Sequence, residues 1–215
     1  MHPPEETLLA FASGEADLPY RVAIEGHLSS CAACRGALGE LTLPGARLLR
    51  GLDEERPPDR VWQQLLARIG SLERRLEADP LAEFPLPEGA RRELPPVAEL
   101  DLRWRCAWAP GAYYMVMLKD AASGSALLLG HMPPGKYFPR HMHPGREDVL
   151  VLAGGYEDKM GRYEAGEYTV YPAGSEHRPA TERDEECWTL TRLERPIRFL
   201  GWRGGVQRLL SAARR

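Results

Sequence analysis

The chain has 215 residues, 28 of them basic and 31 acidic, for a net charge of −3, a balance that argues against a protein gripping nucleic acid through its own phosphate contacts. No apolar run approaches the ~20 residues needed to cross a bilayer, and Met1 to Glu6 carries two acids and no Lys or Arg, unlike a secretory signal. The expectation is a cytoplasmic protein that does not use membranes, in which four cysteines serve as metal ligands or packing residues, not disulfides.

The first third reads as helix. Glu5 to Ala12 is short and amphipathic, with Leu8, Leu9 and Phe11 apolar, and Gly14 to Asp17 breaks it. Leu18 to Leu28 and Cys31 to Leu43 continue, and Pro44 with Gly45 is expected to end the latter. Pro57-Pro58-Asp59 opens the clearest amphipathic helix, where Trp62, Leu65, Leu66, Ile69, Leu72 and Leu76 fall at helical spacing. Such a stripe either faces a core of its own or offers a sticky face to a partner. Pro80, Pro85, Pro87, Pro95 and Pro96 argue against a helix or central strand, so this stretch reads as a linker or edge-running arm.

Beyond it the period changes. Trp104 to Leu118, Ala126 to Leu129, Asp148 to Leu152, Glu167 to Tyr171 and Trp188 to Leu193 are short β-type runs. Pro133-Pro134-Gly135, Gly154-Gly155 and Pro172-Ala173-Gly174 supply turns between them. The expected class is α+β in two domains: a helical bundle over 1–78, a proline-rich linker over 79–96 and a β sandwich or barrel over 97–205.

His27, Cys31 and Cys34 spell H-x3-C-x2-C. A CxxC pair brings two thiolates onto one ion, and structural zinc takes four N or S ligands in a closed tetrahedron. Ser30 is placed to cap a helix starting at Cys31. Upstream of His27 the only His or Cys is His2, which an antiparallel first helix would return to the site. These residues resemble the zinc-binding domain of bacterial anti-sigma factors, where a fourth His or Cys lies about 25 residues upstream of the motif's histidine. In many relatives that ligand is Cys and its oxidation is a switch. Here it is His, so a simple thiol switch does not carry over.

Gly135, His141, His143, Glu147 and Gly154 spell G-x5-H-x-H-x3-E-x6-G, and Gly166, Pro172, Gly174 and His177 spell G-x5-P-x-G-x2-H. These resemble the two cupin motifs, which implies an antiparallel jelly-roll β-barrel. Where that family often has Asn, Thr181 stands. His141 and His143 are two apart, so on a strand they share a face. Three imidazoles and a carboxylate suit Zn, Fe, Mn or Ni. His131 is left over and reads as an ordinary loop or edge residue, and Cys106 and Cys187 read as packing residues.

A zinc anti-sigma domain followed by a cupin is similar to the ChrR-like anti-sigma factors. The resemblance implies a helical domain that sequesters an extracytoplasmic-function sigma factor, and a cupin that responds to singlet oxygen or organic peroxides. It implies Zn2+ at His2, His27, Cys31 and Cys34, and Zn2+ or another divalent metal at His141, His143, Glu147 and His177. It also turns the Trp62 stripe toward a partner, with Leu8, Phe11, Trp62, Leu65, Leu66 and Ile69 as anchors. The rival expectation is a metal-dependent cupin dioxygenase or a small-ligand sensor, with Tyr113, Met115, Met117, Trp104 and Trp108 lining a pocket or filling the core.

Overall fold

A computed structural model of the chain describes residues 1–52, 57–75, 80–106, 111–201 and 204, with the side chains of 68 and 70–75 excepted. The Leu72 side chain, Leu76, Trp108 and residue 205 lie outside the described set.

Helix α1 (Glu5–Ala12) carries Glu5 and Glu6 in its first turn, where carboxylates complement the helix dipole. In α2 (Leu18–Ser30) the Asp17 side chain accepts from Tyr20 N at 2.8 Å and caps the start. Helix α3 runs from Ala32 to Arg50 and contains Pro44, where the sequence predicted its end. The helix is largely solvent-exposed there, so water can serve the carbonyl that proline leaves without a donor. Helix α4 spans Asp59–Arg75.

The proline-rich stretch is not a free linker. It contains helix α5 (Glu88–Glu93), which starts just after Pro87, and it buries Leu81, Phe84, Leu86 and Ala90. Proline removes backbone donors but leaves the apolar residues between free to pack. The Arg91 guanidinium takes up the carbonyls of Leu81, Phe84 and Leu86, replacing ladder partners.

The strands are β1 (Arg105–Cys106), β2 (Tyr113–Lys119), β3 (Ala126–Met132), β4 (His141–Met142), β5 (Glu147–Asp158), β6 (Gly161–Glu164), β7 (Tyr168–Tyr171), β8 (Glu176–His177), β9 (Cys187–Leu193) and β10 (Arg198–Phe199). All recorded pairings are antiparallel. Seven form one sheet in the order β1-β2-β3-β9-β5-β6, with β7 also on β5, and three form a second sheet, β10-β4-β8. Among the described residues the sheets do not close into the expected barrel. The strands of the smaller sheet are two residues long, and Pro139, Pro144 and Pro172 deny donors beside them. Gly154 and Gly155 are not a turn either but lie inside β5, next to a register shift between Val151 and Ala153.

Strand β5 organises the core by alternation. Val149 and Val151 join Tyr156, Tyr163, Tyr171 and Cys187 in a core on the strand's inner face. Leu150 faces the other way, into a core shared with Val22 and Ala23 of α2, Met115 and Met117 of β2, and Leu81, Phe84 and Leu86 of the proline-rich strap. A Cβ on Gly26 of α2 would stand 2.8 Å from Leu150 Cδ2, so the glycine sets how closely helix and sheet approach. A third, small cluster joins Leu8, Tyr20, Ile24, Leu28 and Cys34. Polar contacts bridge the layers too. Arg146, paired with the fully buried Asp148 at 2.7 Å, reaches Thr7 of α1 at 2.6 Å, and Arg192 reaches Asp17 at 2.7 Å.

Candidate metal centres

All four residues of the first constellation meet. One ligand atom from each of His2, His27, Cys31 and Cys34 lies within 4.8 Å of the others. His27 lies in the last turn of α2, Cys31 is at once the C-cap of α2 and the N-cap of α3, and Cys34 lies in the first turn of α3. Cys31, not Ser30, is therefore the cap: its sulfur accepts from Cys34 N at 3.5 Å, while Ser30 Oγ donates back to the His27 carbonyl. His2 Nδ1 stands 3.3 Å from Cys31 Sγ and 3.4 Å from Cys34 Sγ, and His27 Nε2 stands 3.3 Å from Cys34 Sγ. Bonds of 2.0–2.3 Å around a tetrahedral ion place ligand atoms roughly 3.5 Å apart, so the set fits. Burial, with Cys31 alongside, pushes the Cys34 thiol up to about 11, so the thiolate needs a cation to form there. Burial also lowers His27, favouring the neutral imidazole that ligates.

The second constellation also converges, and all four residues are buried. His141 and His177 face each other across the β4–β8 ladder, and Glu147 opens β5. His141 Nδ1 lies 2.8 Å from the Pro139 carbonyl and His177 Nδ1 2.8 Å from Asp158 Oδ2. Those acceptors assign the ring protons to Nδ1, so both Nε2 atoms present lone pairs, 2.9 Å apart. An ion beside them would take up both lone pairs. His143 Nε2 and His177 Nε2 lie 3.3 and 3.5 Å from Glu147 Oε2. Both His143 nitrogens and Glu147 Oε2 are buried without a hydrogen-bond partner. Burial and the His177 charge take His143 down to about 4, and burial takes His141 well below its usual range. Burial and the Asp148 and Asp158 charges push Glu147 up to about 8. Histidines held toward the neutral form at 141 and 143, beside a carboxyl that burial raises, are what a divalent ion would complete.

An apolar cavity of about 90 Å³ adjoins this cluster, walled by His141, Glu147 and His177 at one end and by residues such as Leu128, Phe138, Val149 and Leu193. Tyr113 lines it, but Met115 and Met117 pack into the core behind the sheet, and Trp104 sits among Phe84 and Trp188 instead.

Three contributors escaped the sequence reading: Asp158, Gly166 and Tyr171. Asp158 lies 19 residues from His177, and the Glu157–Ala180 bridge draws the end of β5 to the stretch that follows β8. Burial would raise its carboxyl, but hydrogen bonds from His177, Met160 N and Tyr171 outweigh that and lower it. Thr181 keeps a structural role, accepting from Lys136 N at 2.9 Å and donating to the Pro133 carbonyl at 2.8 Å. His131 sits on β3, stacked on Trp188 at 4.1 Å. Cys187 is buried as expected, its thiol pushed up to about 12 by burial, whereas Cys106 is exposed.

The expected anchors divide. Trp62, Leu65, Leu66 and Ile69 are exposed along α4, Trp62 by 57%. Leu8 is only 4% exposed and Phe11 packs against the same small core, so this conformation does not present Leu8 to a partner.

A family profile described as the ChrR cupin-like domain matches residues 97–195. The anti-sigma-E factor ChrR of Cereibacter sphaeroides is 31% identical over 206 residues, covering 92% of this chain and 91% of that protein. The chain belongs to the ChrR family of anti-sigma factors. The solved structure of Rhodobacter sphaeroides SigE in complex with the anti-sigma ChrR is similar at a TM-score of 0.63 and 26% identity, over 89% of this chain and 97% of that one. The similarity to ChrR thus spans the helices as well as the sheets.

Proposed function

We propose that this chain is an anti-sigma factor that sequesters an extracytoplasmic-function sigma factor and releases it on an oxidative signal of the singlet-oxygen or organic-peroxide type. The observation that carries the reading is the correspondence, over nearly the full length of both chains, to ChrR as found in complex with SigE. The exposed apolar face of α4 supports it, because an unpaired stripe of Trp62, Leu65, Leu66 and Ile69 suits protein docking. The partner is a protein, with neither nucleic acid nor membrane as a direct target. The net charge of −3 supports the reading against nucleic acid, and among the described residues no helix is long and apolar enough to cross a membrane. The site of action is the cytoplasm.

In this reading Zn2+ at His2, His27, Cys31 and Cys34 supplies cross-links that a small bundle with little core lacks. His141, His143, Glu147 and His177 hold Zn2+ or another divalent ion in the sensory layer, and the division follows the sequence: helical capture over 1–78, cupin sensing over 97–205. Co-expression with extracytoplasmic-function sigma factors of the same genome tests it. Capture of one of them is expected with the unaltered chain and lost with Cys31→Ser/Cys34→Ser. His141→Ala is expected to keep capture and blunt release by oxidant. Failure to capture any of them would overturn the reading.

The cavity beside the second cluster favours one alternative, a cupin that binds or oxidises a small apolar molecule. Oxygen uptake by the Fe(II)-loaded full chain would support an enzyme of dioxygenase type; none is expected of a regulator.

A further inference from the structure

We infer that strand β7 belongs to both metal centres: its leading end positions His27 in the first, its trailing Tyr171 braces the histidines of the second, and filling the second centre therefore changes the affinity of the first. The inference rests on the reading that both clusters hold an ion.

The leading end touches the first centre at several points. The Gly166 carbonyl, just before β7, lies 2.9 Å from His27 Nδ1. It assigns the ring proton to Nδ1 and leaves Nε2 to face Cys34. The fully buried Tyr168 ring stands edge-on to the His27 ring at 5.8 Å. Tyr168 N donates to the Met1 carbonyl at 3.1 Å, which pins the chain beside His2. A centre built from α2 and α3 is thus held in place by backbone and ring from the β layer.

The trailing end touches the second centre. The Tyr171 ring lies 4.1 Å from the His177 ring and 5.9 Å from the His143 ring, nearly parallel to the latter at 18°. Its hydroxyl donates to Asp158 Oδ2 at 2.8 Å, the same oxygen that holds His177 Nδ1. Tyr171 also stands opposite Glu147 in the β5–β7 ladder, and Tyr168 stands opposite Leu150. At about 3.3 Å per residue the two tyrosines are roughly 10 Å apart along a strand that β5 holds in register. Being three apart, they point to opposite faces, one toward α2 and one between the sheets. A change in the imidazoles against Tyr171 therefore reaches the carbonyl and ring that orient His27. Such coupling is reciprocal and typically about 5- to 150-fold in affinity.

Cobalt separates the two centres, because only the first contains sulfur. Titrating Co2+ into the metal-free full chain and following thiolate-to-cobalt absorption reads the first centre alone, while elemental analysis counts the total. Five proteins are compared: the unaltered chain, His141→Ala, Tyr168→Phe, Tyr168→Leu and Tyr168→Leu/His141→Ala. We expect His141→Ala to shift the first centre's affinity by at least about fivefold. Tyr168→Phe, which keeps the ring, should match the unaltered chain. Tyr168→Leu should weaken the first centre by at least about fivefold and make it insensitive to an added His141→Ala. Circular dichroism of Tyr168→Leu checks its fold, and if it is unfolded the comparison of His141→Ala with the unaltered chain decides. Two bound ions whose affinities ignore His141→Ala, or a folded Tyr168→Leu with unchanged affinity, would overturn the inference alone. Fewer than two ions on the unaltered chain would overturn the two-centre reading and the inference with it.

Discussion

The Arg146 guanidinium donates to the Thr7 hydroxyl of α1 across 2.6 Å, while Glu147, next along β5, turns the other way into the histidine cluster. The start of β5 and the residue before it thus carry a metal-centre carboxylate on one side and a clasp on the helices on the other. Arg146→Met is expected to destabilise the chain by about 3 kcal/mol, since it leaves the buried Asp148 with Arg192 alone, 3.6 Å away. Arg146→Met/Asp148→Leu should recover most of that loss, because the unpaired charge is gone. Urea denaturation measures both.

Asp17 gives the clasp a pH dependence. Burial would raise its carboxyl, but the hydrogen bond and charge of Arg192, with Tyr20 N, outweigh burial and hold it below its ordinary value of 3.8. A carboxylate depressed in the folded state leaves the unfolded chain binding more protons. Its stabilisation is therefore present above pH ~3.8 and lost as pH falls through the folded value. Asp17→Asn keeps the helix cap and removes the charge. It is expected to cost about 1.5 kcal/mol at pH 7 and to flatten part of the acid limb of a urea-midpoint profile.

Leu8 and Trp62 separate packing from docking. Leu8→Ala opens a hole in the smallest core and should lower stability by roughly 2–3 kcal/mol. Trp62→Ala touches an exposed position and should leave the urea midpoint within about 0.5 kcal/mol. In sigma-factor binding Trp62→Ala should weaken affinity by about tenfold or more.

Gly154 tests the bulge in β5. Its φ is +62°, and a Cβ there would stand 1.7 Å from the Glu186 carbonyl oxygen. Gly154→Ala must displace backbone and should cost at least about 2 kcal/mol, seen as a lowered thermal midpoint.

Both candidate centres were legible because their chemistry depends on spacing. Two histidines two apart, one opening β4 and the other just past its end, turn to one site, and His27, Cys31 and Cys34 fall around one helix junction. His2 could be reached by elimination, since no other His or Cys precedes His27. What stayed hidden depends on tertiary placement. Pro80, Pro85 and Pro87 around Leu81, Phe84 and Leu86 masked a packed strap, because proline density reports missing donors and says nothing of what lies against the side chains. Pro44 suggested an end that an exposed helix does not need. Asp158 and Gly166 act on histidines far along the chain, and no periodicity links them. The open sheets follow from strand lengths that the alternating pattern does not set.

The most direct test of the account is calorimetric titration of the captured sigma factor into the full chain, alongside Cys31→Ser/Cys34→Ser, with zinc content assayed on both. The account predicts zinc in the unaltered chain and none at the first centre of the variant, with binding weakened at least about 100-fold, or ~2.7 kcal/mol. A variant whose first centre is zinc-free, yet which binds the sigma factor as tightly as the unaltered chain, would contradict it.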